Sequence, residues 1–263
     1  MWRELFSLVR SHRLVLSTAL IEVRQRFAGS VFGLGWALLF PLMQLSIYAT
    51  LYVFIFKVRP SGLTEYQYVL MVFSGLIPLF IFNDAVQAAA HSMTASKNLI
   101  LNSSIPAEII PLRAAIAAQI PATVGLLVTM GIGVYLQMTT FFAFLIVPIY
   151  WVLLLMFAAG LGWILSLATL VVRDIGHAIG LVLMMAMFLS PFAYTEEMVP
   201  EGLRPILHLN PLTYFVLPFQ KAICFDTLPE PRVLITMAVM SVVVFLVGFA
   251  RFTKSKYEFI DYA

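Results

Sequence analysis

Residues 24–41 read RQRFAGSVFGLGWALLFP: two arginines, then a stretch in which no charge returns until Lys57. A spanning helix needs about 20 apolar residues, and the uncharged run 27–56 is longer than that. The junction therefore marks where a charged arm meets a membrane span. The whole chain agrees. It has 263 residues, of which 62% are hydrophobic and 11% charged, and its mean hydropathy is +0.97. A soluble domain averages about 45–50% apolar and about 25% charged. There is too little polar surface here to cover a water-facing globule, so the solvent is lipid.

Further uncharged runs occupy 66–83, 114–172, 175–195 and 233–250. The third is long enough for two spans with a tight turn near Gln137 to Thr140. This predicts an all-α membrane protein, one transmembrane domain over 1–263, with six helices at 31–56, 66–90, 112–137, 141–172, 175–194 and 233–252. Continuous apolar runs, rather than short alternating ones, exclude a spanning barrel. No cleavable signal is expected, because the first apolar run follows an arginine-bearing helical pattern and exceeds a signal h-region. The single cysteine, Cys224, rules out an intrachain disulfide.

Lys and Arg favour cytoplasmic segments. With six spans both termini share one side. Placing them inside puts eleven of the 16 Lys and Arg there: Arg3, Arg10, Arg13, Arg24, Arg26, Lys97, Arg113, Arg173, Arg251, Lys254 and Lys256. The opposite segments hold Lys57, Arg59, Arg204, Lys221 and Arg232, and are rich in acids instead. Both termini are therefore expected in the cytoplasm.

Residues 2–27 carry Trp2, Leu5, Phe6, Val9, Leu16, Leu20, Val23 and Phe27 at helical spacing. Segment 1–28 is thus predicted to be an amphipathic interface helix, with its arginines facing headgroups. It serves either as a plain anchor or also as a cradle for a partner. Beyond it, Gly33 and Gly35 would let the first span pack closely, and Pro41 would bend it. On that span Gln44, Tyr48 and Tyr52 fall at i, i+4 and i+8, on one face. The second span offers a matching stripe of Phe73, Phe80, Asp84 and Gln87. A carboxylate inside a span is costly, so Asp84 should face protein or water. It either pairs with Arg113 or an arm arginine, or contacts a substrate.

Residues 91–111 form the sizeable cytoplasmic loop, with Pro106 and Pro111 redirecting the chain. The Asn102 sequon reads as coincidental on that side. Small residues at 114–118 and 158–162 favour close packing of the third and fourth spans, and Gly176 and Gly180 have the G-x-x-x-G spacing. His177 reads as a packed or interfacial histidine. After the fifth span, Ser190-Pro191 breaks the helix, and a proline-bounded stretch through Glu196, Glu197 and His208 ends at Asn210-Pro211. Non-helical backbone at membrane depth needs protein or a wet cavity around it. Segment 194–212 is therefore predicted to be a re-entrant outer gate.

Several chemistries are missing from the sequence. No lysine follows a glycine, so there is no phosphate-cradling G-x-x-x-x-G-K-[ST] loop. There is no spacing for a metal site and no G-x-S-x-G elbow. Adjacent Glu196 and Glu197 diverge on a helix and make a poor acid/base pair. No catalytic residue and no metal ligand is assigned.

The 24–41 segment resembles the permeases of bacterial polysaccharide ABC exporters of the type 2 family. Their pattern, R-x-R-[YF]-x-x-S-x-x-G-x-x-W-x-x-x-x-P, is met by Arg24, Arg26, Phe27, Ser30, Gly33, Trp36 and Pro41. Residues 98–111, Arg173-Asp174, Ser190-Pro191 and Asn210-Pro211 agree as well. Phe27 stands where tyrosine is common, and Phe40 where a polar residue is frequent.

The resemblance implies a homodimer with two copies of a separate cytoplasmic ABC ATPase, in the bacterial inner membrane. ATP and Mg would be bound by that partner, and this chain would need no cofactor. The cargo would be lipid-linked polysaccharide: O antigen first, with capsule or teichoic acid as alternatives. The loop after the second span would couple to the ATPase through His91, Ser92, Thr94, Lys97, Asn98 and Pro106. Arg24, Arg26, Trp36 and Asp84 would form the interface and entrance. The outer gate would include Pro191, Glu196, Glu197, Asn210 and Pro211.

Sugars present apolar C–H faces beside hydroxyls, so aromatic platforms mixed with amides suit a sugar conduit. Gln44, Tyr48, Tyr52, Phe73 and Phe80 would line it, with Phe188, Phe192 and Tyr194 as an outer ring. The alternative for these aromatics is interface belts or packing. Two other functions stay open on the sequence: a drug, small-lipid or heme exporter of the same superfamily, and a membrane glycosyl- or acyltransferase using Asp84, Glu196 or His177. Neither nucleic acid nor a resident metal is expected.

Overall fold

A computed structural model describes Phe6 and residues 10–55, 63–97, 106–194 and 198–260. All regular structure among them is helical. Five helical stretches are long and apolar enough to cross a membrane: Gly33–Tyr52, Glu65–Ala95, Ile109–Tyr135, Phe141–Val171 and Pro231–Lys256. A sixth apolar helix, Asp174–Phe188, has 15 residues, about 22 Å at 1.5 Å per residue.

Helix α1 (His12–Phe27) buries Val15, Ala19 and Val23, an i, i+4, i+8 stripe. Ala19 and Val23 pack on Ala117, Ile116 and Ile120. Leu16 and Leu20 from the expected apolar face remain exposed, so the stripe that docks on protein differs from the one facing outward. Trp2, Leu5 and Val9 lie outside the described residues.

The chain turns at Gly29 and Gly33, both at positive φ, where a side chain would be strained. A Cβ on Gly33 would meet nothing within 4 Å, and one on Gly35 only Phe32 Cβ at 3.8 Å. The expected close packing at these two glycines is therefore not made; Gly33 serves the turn. The close approach lies further on, where Pro41 of α2 (Trp36–Ala49) faces Gly125. Helix α2 continues as a π-helical turn, Thr50–Ile55.

Helix α3 (Glu65–Ala95) is the central post. Of its most apolar window 83% is buried, against 17% for the first span. Its start is fixed by a capping box: Gln67 N–H donates to Thr64 Oγ1, and Thr64 N–H donates to Gln67 Oε1 at 2.9 Å. It runs on to Ala95, so the first residues of the expected loop 91–111 are still helical.

The third span is two helices, α4 (Ile109–Ala117) and α5 (Gln119–Tyr135). Pro121 has no N–H to give Ala117, which loosens the ladder there. Buried Gln119 bridges the break, its Nε2 donating to Ala115 O at 3.1 Å and Ile81 O at 3.2 Å. A turn with Gln137 at φ 59 leads into α6 (Phe141–Val171), started by Thr140, whose Oγ1 accepts from Phe142 N–H. The expected turn thus lies where the sequence put it.

Helix α7 is Asp174–Phe188. Non-helical backbone follows to Tyr194. Short α8 (Arg204–Leu209), then α9 (Thr213–Cys224) and α10 (Pro231–Ile260), complete the chain. Helix α6 packs most extensively on α10 and α3. Glycines permit this: a Cβ on Gly160 would strike the Val244 carbonyl, one on Gly248 the Gly160 carbonyl, and one on Gly162 the Ala89 side chain. Thr169 Oγ1 also donates to Ala90 O between α6 and α3.

Candidate functional site

Two tyrosines of the first span and one phenylalanine after α7 form the centre of the site. Tyr48 and Tyr52 point the same way, as their spacing requires, and both meet Phe192 edge-on, with ring centroids 6.0 and 5.9 Å apart. Tyr48 also lies 6.1 Å from Phe80, and Tyr52 6.5 Å from Tyr68. Four of the expected channel residues are thus brought together, with Tyr68 added. Both stripe tyrosines stay partly exposed, while Phe192 is only 2% exposed. Phe192 is therefore the pin of the cluster and not a free surface.

Phe192 is held through backbone carbonyls outside any helix, which accept from side chains of other helices. Gln220 of α9 donates through Nε2 to Phe192 O at 3.1 Å and to Pro191 O and Met71 O at 3.3 Å. Tyr68 Oη donates to Ala193 O at 2.9 Å. Gly75 makes room, since a Cβ there would come within 2.8 Å of Phe192 Cα. Buried carbonyls outside a helix require such partners. Gly75, Tyr68 and Gln220 escaped the sequence reading, although an amide in the apolar run TYFVLPFQ was a usable signal.

The remaining channel candidates divide. Gln44 is half-buried on the tyrosine face, and Phe73 is buried in the core. Phe188 is 58% exposed, away from the cluster that surrounds Phe192. Tyr194 donates through Oη to Leu189 O at 3.1 Å and borders a separate cavity. Of the gate candidates, Pro191 is buried beneath Gln220. Asn210 donates to Ser190 Oγ at 2.9 Å and Ala186 O at 3.1 Å, and accepts from Leu212 N–H. Pro211 O accepts from Tyr214 N–H. Glu196 and Glu197 lie outside the described residues.

At the other end, α1, α3 and α4 border an open cavity of about 510 Å³ whose polar lining residues include Glu22, Gln25, Arg26, Asp84, Gln87 and His91. Asp84 thus faces protein and a hollow, as its charge demands. Arg113, one expected partner, is instead taken by Glu22 at 3.4 Å and by Ser96 Oγ at 3.1 Å. Arg26 shares the cavity with Asp84. Burial pushes the Glu22 carboxyl above its ordinary value, with the Arg113 and Arg26 charges opposing that rise. Arg24 is exposed beside it, and Trp36 stacks edge-on against Phe32 at 5.5 Å.

The coupling candidates are only partly presented. His91 is exposed and its ring covers Gly176. Ser92 is buried, bonded to Ala89 O of its own helix, so it stabilises α3 rather than offering a docking contact. Thr94 Oγ1 is buried. Lys97 is half-exposed and Pro106 exposed. Asn98 lies outside the described residues. Gly180, the second half of the G-x-x-x-G spacing, faces open space. No group of three or more His, Cys, Asp or Glu able to hold a metal occurs among the described residues.

The chain is similar along nearly its whole length to polysaccharide export proteins. It is 26% identical over 246 residues, 91% of each chain, to the O-antigen export system permease protein RfbA of Klebsiella pneumoniae. It is 24% identical over 252 residues, 94% of each chain, to RfbA of Myxococcus xanthus. The polysialic acid transport protein KpsM of Escherichia coli is 23% identical over 233 residues, 87% of this chain and 88% of its own. Residues 14–223 match the family model of ABC-2 type transporters, a stretch that takes in the arm, the tyrosine stripe and α9, and the chain belongs to that family.

Proposed function

We propose that this protein is the membrane-spanning subunit of an ATP-driven exporter of lipid-linked polysaccharide, O antigen in the first place. The observation that carries this is full-length similarity to O-antigen export permeases together with the tyrosine ladder ending on Phe192. Capsular polysaccharide is the second reading, favoured by the similarity to KpsM.

The work divides between chains. ATP and Mg are held by a separate ATPase, because this sequence has no phosphate-binding lysine loop. Two copies of this chain enclose the path and two ATPase copies drive it. The first span suits a place along the path or between copies, since so little of its apolar window is covered within one chain. Tyr48 and Tyr52 offer ring faces to sugar C–H surfaces, and Gln44 an amide to hydroxyls. The chain supplies no covalent step. It positions the glycan and excludes lipid from it.

The topology we propose has six crossings, with both termini in the cytoplasm. Helix α7 and the backbone to Tyr194 together make the fifth crossing. Segment 198–224 then dips back: Asn210 returns to Ser190, after which Phe215 stacks on Phe157 at 5.1 Å, Phe219 meets Tyr150 at 6.0 Å, and Ile223 O accepts from Thr139 Oγ1 at 2.6 Å. Each contact lies nearer the start of α6, so α9 climbs toward the outer face. The outer gate is thus extended from 194–212 to include α9. The polar cavity at Asp84 and Arg26 forms the cytoplasmic entrance, beneath the interface arm.

The test is reconstitution of ATP-dependent export of lipid-linked glycan with the cognate ATPase. Replacing residues 91–106 by a flexible linker should release the ATPase on purification and abolish export. Export undiminished in the absence of any ATPase would overturn the reading.

A further inference from the structure

We propose that a second cavity, between α8, α9 and the start of α10, binds a lipid-borne phosphate at the outer membrane surface. The inference rests on the outward direction assigned to α9.

The cavity measures about 500 Å³, within the range of small-ligand sites. Its lining is divided by chemistry. Leu207, Leu217 and Val233 make an apolar wall, while Arg204 and Lys221 supply two permanent cations. Among the described residues Glu230 is the one carboxylate in the lining, so the balance over those residues is positive. Tyr214, Leu217 and Lys221 fall at i, i+3 and i+7 of α9, so one face of that helix presents an aromatic ring, an apolar side chain and then a charge. That order matches an amphiphile whose charge sits at the headgroup level.

Both cations are held in position. Lys221 Nζ lies 5.3 Å from the centroid of the Phe225 ring, a cation–π arrangement. Arg204 Nε donates to Val199 O at 3.2 Å, which fixes the guanidinium by one edge. Fixed cations lose less freedom when an anion binds.

A buried hydroxyl closes the inner end of the cavity. Thr213 lines the cavity, is only 3% exposed, and its Oγ1 has no hydrogen-bond partner. Buried hydroxyls are nearly always bonded. Thr213 precedes Lys221 by eight residues, about 12 Å along α9, so its hydroxyl marks the inner end of the cavity while Arg204 and Lys221 hold the phosphate at the outer end. Each Lys or Arg near a membrane surface attracts anionic lipid by roughly 1 kcal/mol.

Two sources carry this chemistry: an anionic phospholipid of the outer leaflet, and a glycolipid whose sugar is joined through phosphate. Native mass spectrometry of the full chain in mild detergent, titrated with phosphatidylglycerol or phosphatidylcholine, tests the site. Phosphatidylglycerol should be retained and phosphatidylcholine should not. Arg204→Gln with Lys221→Gln should lower phosphatidylglycerol retention about thirtyfold, while Arg204→Lys with Lys221→Arg should keep it. Thr213→Val, which preserves shape at the inner end, is the second probe and should leave retention unchanged. Equal retention of both lipids, or retention unaffected by the charge-removing pair in folded protein, would overturn the proposal. Displacement of phosphatidylglycerol by a phosphate-linked glycolipid would identify the cargo as the source; failure to displace would identify the leaflet lipid, and either result sustains the site. The orientation is checked separately, by labelling Asp226→Cys with an impermeant maleimide from the outside.

Discussion

Lys256 Nζ of α10 lies 3.0 Å from Glu108 Oε2, with the two side chains 10% and 8% exposed. Glu108 sits immediately before α4, where the chain leaves the expected coupling loop, and its carbonyl accepts from Trp163 Nε1 of α6 at 2.9 Å. Three elements thus meet at one residue. A push on the loop would reach α6 and α10 through this joint.

Removing one partner of a buried ion pair leaves the other charge stranded, at a cost of about 3–5 kcal/mol. Lys256→Met and Glu108→Met should each destabilise the protein by that order. The double variant should recover most of the loss, because both charges of the buried pair are then removed together. Denaturant or thermal unfolding in detergent checks this. Recovery of stability without recovery of ATP-driven export would assign the joint to coupling as well as folding.

The crossing of α6 and α10 gives a second expectation. A Cβ on Gly248 falls against the Gly160 backbone, whereas one on Gly180 meets nothing within 4 Å. Overpacking costs about 1–3 kcal/mol, while glycine to alanine in an open helix gains about 0.5–1 kcal/mol. Gly248→Ala should therefore lower the melting temperature and Gly180→Ala raise it slightly. Measuring both in one preparation gives opposite signs if the crossing is as described.

Most of the spans were legible because lipid imposes a length and a composition on them, and Thr140 and Gln137 marked the hairpin turn between α5 and α6 directly. The break at Ala118 was not, because Pro121 lies inside an otherwise uninterrupted apolar run. At the site, the spacing of Tyr48 and Tyr52 was enough to put both on one face. Their partner Phe192 reads from the sequence only as part of an outer ring, since nothing local says that non-helical backbone folds down onto Gly75. Phe188 has the same composition cues as Phe192 but stays exposed. Ser92 looked like loop because helix α3 outlasts its apolar run. These differences are set by contacts between elements far apart in sequence, which periodicity does not carry.

Asn210 is tied to Ser190 and Ala186 across the base of the 198–224 segment. Asn210→Ala leaves buried groups without partners, each costing about 1–3 kcal/mol. The loss should fall on the segment more than on the bundle. Hydrogen exchange should show faster exchange in α9 and around Ser190, with α6 and α10 unchanged. Uniform loss of protection through the bundle would make Asn210 a general folding contact instead.

The tyrosine ladder is where packing and transport make different predictions. Tyr48 and Tyr52 touch Phe192 at their ring edges yet remain partly open. If they only pack, Tyr48→Phe with Tyr52→Phe should be silent, and Tyr48→Ala with Tyr52→Ala should damage stability, ATPase association and export together. If they carry sugar, the alanine pair should cut export by roughly 5- to 150-fold, the loss of two aromatic contacts worth about 0.5–1.5 kcal/mol each, while ATPase association persists. The phenylalanine pair then reads the hydroxyls separately: it keeps the stacking faces and removes two hydrogen-bonding groups, so export should fall by a smaller factor. Export assayed beside co-purification for both pairs separates the two roles.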